Sequence, residues 1–230
     1  MAQQARIQAV AFDAFGTLFD VYSVGLLAEQ LFPGKGAALA ELWRQKQIEY
    51  SFIRSLSGRY KPFWDITRDG LDFAAARLGL ALDGAQRTQL MNQYACLSPF
   101  PENLCALRRL KDAGLPTAIL SNGTPEMLQV AIKSAGMQGV FDHVLSVDAV
   151  RKYKTHPDAY ALAPAAFGVA PERILFVTSN GWDAAGAAWY GFTTFWINRS
   201  GQPREALDVA PTATGRTMDD VVAYLIGGRG

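Results

Sequence analysis

The sequence predicts an α/β protein, a three-layer Rossmann-like parallel sheet core with an inserted helical cap. Three observations predict it. Short, almost continuous apolar runs recur along the chain, helical patterns ending at glycine lie between them, and from about Ser23 to Cys96 the strand-like runs vanish while helical periodicity persists. Continuous apolar runs of strand length mark strands covered on both faces. Strands alternating with helices at this spacing imply right-handed crossovers in a parallel sheet.

The first run, 7–12, ends in Phe12-Asp13 and a Gly16-Thr17 turn. Strands of the same character are expected at 117–120, 143–147, 174–177 and 193–197. Helices are expected at 102–113, 125–135, 157–167 and 184–190, each stopping at a glycine, the usual C-terminal punctuation. Thr217 followed three residues later by Asp220 announces a last helix, 218–226, by a capping-box pattern. Inside the insertion, Leu39, Leu42, Trp43 and Lys46 make one helical series, and Leu71, Ala74, Ala75 and Leu78 make another. The segments Gly34-Lys35-Gly36 and Ser57-Gly58-Arg59 read as turns between helices. The expected domains are therefore an α/β core of residues 1–20 and 99–230 and a helical cap of residues 21–98.

Composition narrows the function. At 230 residues and 50% hydrophobic, the chain can bury a sizeable core. Its net charge of +1 steers it toward neither nucleic acid nor anionic membrane. Two cysteines, Cys96 and Cys105, and two histidines give no metal-ligand spacing, so reduced thiols in a cytoplasm are expected and a zinc site is not. The start, Met1 to Arg6, has no apolar signal core, and no run approaches the roughly 18 apolar residues of a membrane span.

The polar residues that follow the strands carry the functional argument. Asp13 ends the first, Ser121-Asn122-Gly123 the second, Lys154 lies past the third, and Thr178-Ser179-Asn180-Gly181-Trp182-Asp183 ends the fourth. In a parallel sheet these positions converge on one edge, where open α/β sheets bind ligands. Each has a plainer reading taken singly. Ser-Asn-Gly suits a helix cap, Lys154 a solvated loop, Thr17 a turn brace and Asp183 a cap of the next helix. Their coincidence at one edge favours a site built around a carboxylate nucleophile.

These residues resemble the four motifs of the haloacid dehalogenase superfamily over nearly the whole chain. Within it, Leu42-Trp43-Arg44-Gln45-Lys46-Gln47-Ile48-Glu49-Tyr50 and Asn180-Gly181-Trp182-Asp183 are similar to the cap and fourth-motif signatures of the L-2-haloacid dehalogenases. The resemblance implies hydrolytic dehalogenation of short L-2-haloalkanoic acids to D-2-hydroxyalkanoic acids, with inversion and through an aspartyl ester on Asp13, and a homodimer. It implies catalytic roles for Asp13, Thr17, Arg44, Ser121, Lys154, Tyr160, Thr178, Ser179, Asn180 and Asp183. Ser121, Lys154 and the amides after Asp13, beginning at Ala14, would seat the substrate carboxylate, and Arg44 with Asn122 would cradle the halide. Asp183 would activate water, oriented by Lys154, Asn180 and Ser179, while Phe15, Gln45, Ile48, Phe63 and Trp182 would wall the alkyl group. The sequence departs from the pattern in three places. Phe15 stands where the family often has tyrosine, Thr178 where it often has serine, and the loop Lys154-Thr155-His156-Pro157-Asp158-Ala159-Tyr160 is altered between its ends.

Chemistry separates this reading from a magnesium-dependent phosphatase on the same fold. A phosphatase needs an acid two residues after the nucleophile to protonate an alkoxide, and a second acidic group after the fourth strand to hold Mg²⁺. This chain has Phe15 and Ser179 there. Halide is a weak base and leaves unprotonated, so neither group is required. No metal and no cofactor are therefore expected. That phosphatase is the main alternative, and a non-catalytic binding module that retains the crevice is a second one from a different class.

Overall fold

The computed structural model describes residues 7–227; the Met1–Arg6 segment, on which the reading of the amino terminus rested, lies outside the described residues. Six strands form one parallel sheet: β1 (Ala9–Phe12), β2 (Thr117–Ser121), β3 (His143–Ser146), β4 (Ile174–Thr178), β5 (Thr193–Ile197) and β6 (Ala213–Gly215). Their order is β3-β2-β1-β4-β5-β6, with every neighbouring pair parallel. The chain steps outward from β1 to β3, then crosses back to β4 and steps outward the other way. The β1/β4 boundary is thus the topological switch point, the place where a crevice opens beyond the strand ends.

Five of these strands lie where the apolar runs place them; β6 does not announce itself. Ala213-Thr214-Gly215 is short, partly exposed and without an apolar run, because an edge strand has only one neighbour to satisfy. Alternate residues of β1 serve two different cores. Val10 and Phe12 face the cluster shared with the inserted helices, and Ala9 and Ala11 face the cluster containing Tyr160, Phe176 and Phe192. Burial on both faces makes the run continuous rather than alternating.

Helices α1 (Gly25–Leu31), α2 (Gly36–Leu56), α3 (Phe63–Arg77) and α4 (Gly84–Ala95) follow one another between β1 and β2 without an intervening strand. The 21-residue α2 buries Leu39, Ala40, Trp43, Arg44, Gln47 and Ser51, a stripe at three- and four-residue steps, and packs on α3 and α1. Asp83 and Gln86 close a full capping box at the start of α4. The remaining helices, α5 (Asn103–Asp112), α6 (Pro125–Ser134), α7 (Pro157–Phe167), α8 (Gly181–Tyr190) and α9 (Met218–Ile226), flank the sheet. The Thr217–Asp220 box forms at α9. Helix α8 begins at Gly181 rather than Ala184, since Asn180 already takes the N-cap backbone conformation, and this puts Asp183 inside the first turn. No helix among the described residues is long and apolar enough to cross a membrane.

Candidate active site

Asp13 directly follows the central strand and is 6% exposed. The chain behind it reverses through Gly16, whose φ of +95° only glycine adopts without strain. Asn103 pins that reversal, donating to the carbonyls of Thr17 at 3.2 Å and Leu18 at 3.0 Å. The turn brings Thr17 back toward the Asp13 carboxylate. Ser179 N–H donates to Thr17 Oγ1 at 2.8 Å, and the Thr17 hydroxyl in turn donates to Asp13 Oδ2 at 2.9 Å. Asn180 Nδ2 supplies a second donor to Oδ2 at 2.8 Å. One carboxylate oxygen is therefore doubly held, and its orientation is set by β1, β4 and the turn together.

Asp13 Oδ1 accepts from Lys154 Nζ at 3.1 Å, and the same ammonium donates to Asp183 Oδ2 at 3.0 Å. The lysine side chain is wholly buried and lies 4.7 Å from the centre of the Phe176 ring. Tyr160 donates its hydroxyl to Asp183 Oδ1 at 2.7 Å, so both oxygens of the second aspartate are occupied. Burial is the largest of the effects that leave Asp183 raised to about 6; Lys154 and Tyr160 pull it down and Asp13 pushes it up. Burial beside that carboxylate raises the Tyr160 phenol well above its ordinary range, which keeps it a donor.

Arg44 reaches the same crevice from α2. Its Nη2 donates to the Phe15 carbonyl at 3.0 Å and to Asn180 Oδ1 at 3.3 Å, and Nη1 donates to Gln47 Oε1 at 2.7 Å. Gln47 is fully buried. Its Oε1 also accepts from Tyr94 at 2.9 Å, and its Nε2 donates to Thr67 Oγ1 at 2.5 Å. A neutral network spanning α2, α3 and α4 thus fixes the guanidinium.

Between these groups lies a small cavity lined by Asp13, Phe15, Arg44, Ile48, Ser51, Phe63, Ser121, Asn122, Asn180 and Trp182. Nine of these ten are residues expected at the site; Ser51 is the addition. Ser121 Oγ accepts Gly123 N–H at 3.1 Å, which leaves its own hydrogen to donate elsewhere. Asn122 Oδ1 accepts Lys154 N–H at 3.0 Å, so its amide nitrogen is the end available to a ligand. Gly123 permits this wall: a Cβ there would stand 2.6 Å from Phe15 Cε2.

The other expected residues stand elsewhere. Thr17, Lys154, Thr178, Ser179, Tyr160 and Asp183 form a layer behind the cavity rather than its lining. In that layer Thr178 Oγ1 accepts Asn180 N–H at 3.1 Å, while the buried Ser179 Oγ has no hydrogen-bond partner among the described residues. Ala14 is buried in the turn, its carbonyl accepting from Leu18 N–H at 2.8 Å. Gln45 is exposed and outside the lining, because one helical step from Arg44 turns it about 100° off the buried stripe. Gln47, Tyr94 and Thr67 were not singled out from sequence. The spacing of Arg44 and Gln47 on one helical face was the available signal for the first; nothing local marks the other two.

Sheet order, switch-point crevice and inserted helices define a class of α/β protein, the haloacid dehalogenase-like fold. Residues 7–191 match the family described as haloacid dehalogenase-like hydrolases, and the chain belongs to that family. It is 47% identical over 205 residues to an (S)-2-haloacid dehalogenase of Pseudomonas sp. (strain YL), covering 89% of this chain and 88% of the relative. It is 43% identical to haloacetate dehalogenase H-2 of Moraxella sp. (strain B), covering 94% and 97% of the two chains. Among solved structures, the L-2-haloacid dehalogenase RSc1362 superposes with a TM-score of 0.95 at 64% identity, covering 96% of this chain and 99% of that one. The L-2-haloacid dehalogenase of Xanthobacter autotrophicus with chloropropionic acid covalently bound superposes with a TM-score of 0.91 at 39% identity, covering 97% and 100%.

Proposed function

We propose that the chain is a metal-independent dehalogenase that converts short L-2-haloalkanoic acids to D-2-hydroxyalkanoic acids, with residues 21–98 acting as a cap over the crevice. The observation that carries this reading is the ammonium of Lys154 lying between Asp13 and Asp183, 3.1 Å from one and 3.0 Å from the other. A divalent ion shared by the two aspartates would need that position. The Phe15 carbonyl, another oxygen near Asp13, already accepts from Arg44 and Asn180. The donor set therefore does not fit magnesium, and no step is assigned to one.

In the first step an Asp13 oxygen attacks the α-carbon in line with the carbon–halogen bond. A carbon–oxygen bond forms and halide departs with the bonding pair, requiring no proton. Oδ1, with one partner, is the freer oxygen for attack; Oδ2 then becomes the ester carbonyl, already facing Thr17 and Asn180. Those two donors stabilise the oxyanion when water attacks Cγ. The ester opens at the acyl carbon, the alkoxide takes a proton, and one proton passes through Asp183 to solvent. A single displacement at the α-carbon inverts it. Ser121 and the amides directly after Asp13 seat the carboxylate, with Lys154 adding positive charge from the layer behind the cavity, and Arg44 with Asn122 receives the halide. The apolar wall of Phe15, Ile48, Phe63 and Trp182 suits the short alkyl group of a two- or three-carbon acid.

Purified protein in excess EDTA should release chloride from L-2-chloropropionate. A single turnover in heavy-oxygen water should place label in the Asp13 carboxylate before it reaches product. Metal-dependent phosphate release in place of halide release would overturn the reading. The resemblance also supports a cytoplasmic homodimer, and light scattering coupled to size exclusion measures the assembly.

A further inference from the structure

The lysine at the centre of the site is held from the side opposite its charge. Tyr153, immediately before it, is wholly buried and is gripped by the inserted helices. Its N–H donates to Ser55 Oγ on α2 at 2.7 Å, and its hydroxyl donates to the Lys61 carbonyl, between α2 and α3, at 2.5 Å. Its ring stacks on Tyr60 with centroids 5.3 Å apart and leans on Phe63 of the cavity wall at 5.8 Å. Tyr60 in turn donates to Asp148, in the segment that leads from β3 to Lys154. One residue further, Lys154 N–H is tied to Asn122 and its Nζ to both aspartates.

We propose that Tyr153 is a positioning residue: by clasping Ser55 and Lys61 it transmits the seating of the inserted helices to Lys154, so that the ammonium sits between Asp13 and Asp183 only while α2 and the α2–α3 turn are docked. It deepens the reading of Lys154 given above and rests on that reading only for its catalytic consequence. The physical basis is leverage. Two hydrogen bonds and two ring contacts fix the backbone directly before Lys154, and a lysine displaced by about 1 Å loses the geometry on which charge-assisted hydrogen bonds and rate depend. Ser55, Lys61 and Tyr60 touch neither the cavity nor the reacting atoms.

The test uses the resting protein. The groups facing the Asp183 carboxyl are Lys154 from the loop, Asp13 from the end of β1 and Tyr160 from α7; Lys154 and Tyr160 both lower its titration, and of these two only Lys154 directly follows Tyr153 in the chain. Carbon-13 NMR of the aspartate carboxyls, assigned with Asp183→Asn, should show an Asp183 midpoint near 6 in the wild type. Tyr153→Leu should move the apparent midpoint of the coupled pair upward by about half a unit or more, and Tyr153→Phe by less. In halide-release assays Tyr153→Leu should lower kcat roughly ten-fold and change KM less. Should the leucine variant not fold, the Tyr153→Phe/Ser55→Ala double variant carries the same expectation. A midpoint unmoved in a folded variant, with only unfolding made easier, would show Tyr153 to be a packing residue and overturn the proposal. Because the titration needs no substrate, it decides this point even if the wild type releases no halide, an outcome that would instead sink the proposed function.

Discussion

Two buried cations serve the crevice, and they are held in opposite ways. Lys154 lies between two carboxylates, so its charge is compensated within the protein. Arg44, 7% exposed, is held by three neutral oxygens, those of Gln47, Phe15 and Asn180, and pairs with no carboxylate among the described residues. A unit charge about 4 Å from an anion is worth about 4 kcal/mol at an effective dielectric of 20, and only a cation not already paired delivers that to a ligand. The comparison separates the two roles. Lys154 holds one oxygen of Asp13 in place, whereas Arg44, oriented by neutral partners, has no carboxylate among the described residues to offset its charge and on the proposed reading offers it to an incoming anion.

The largest test removes the compensated cation. Lys154→Met should lower kcat about 10³-fold and cost about 3–5 kcal/mol of stability at pH 7, because two carboxylates are left facing each other in a buried site. Urea unfolding at pH 7 and pH 5 checks it: the deficit should shrink at the lower pH, where a carboxylate can take a proton. Arg44→Lys comes next. It keeps the charge but loses the fork, and kcat/KM should fall about 10²-fold with less than about 2 kcal/mol lost on unfolding. Unchanged kcat/KM would remove the uncompensated cation from the mechanism.

A smaller effect is expected from the support beneath Arg44. Gln47→Leu strands the guanidinium, Tyr94 and Thr67 and should cost about 2–3 kcal/mol, with KM rising more than kcat falls. Ester hydrolysis should also lose rate about ten-fold per unit as pH drops below the Asp183 value of about 6, while ester formation persists. Rapid-quench measurement of the trapped ester separates these steps. Folding stability responds to the same group with the opposite sign. A carboxyl raised from 3.8 to about 6 holds its proton longer in the folded state, so its contribution falls between those two pH values and is level above them. The smallest effect belongs to Gln45→Ala. An exposed side chain outside the cavity should change stability by no more than about 0.5 kcal/mol, and kcat/KM by a factor of about three or less.

The legible and illegible parts divide along the same line. Asp13, Ser121, Lys154 and Asp183 belong to the region that follows strand ends, where the rule for parallel sheets converts sequence position into spatial position. Their convergence could be read without knowing the strand order. Arg44 carries no such marker; an arginine on a helix is ordinarily solvated, and only the surrounding cap signature, by resemblance, singled it out. Gln45 shows the limit of that route, for a matching motif does not say which way a side chain turns. The edge strand β6 was missed for a related reason, since pairing at a sheet edge needs little apolar character.

By itself the sequence determined the alternation of strands and helices, the helical insertion after β1, and the polar groups at the strand ends, because periodicity and termination are local properties of the chain. Tertiary structure alone decided that Lys154 stands between the aspartates, that Gln47 meets Tyr94 forty-seven positions away, and that Tyr153 is clasped by the insertion. Those contacts join segments whose approach depends on how the inserted helices seat on the sheet, and no local pattern encodes a distance between two buried side chains.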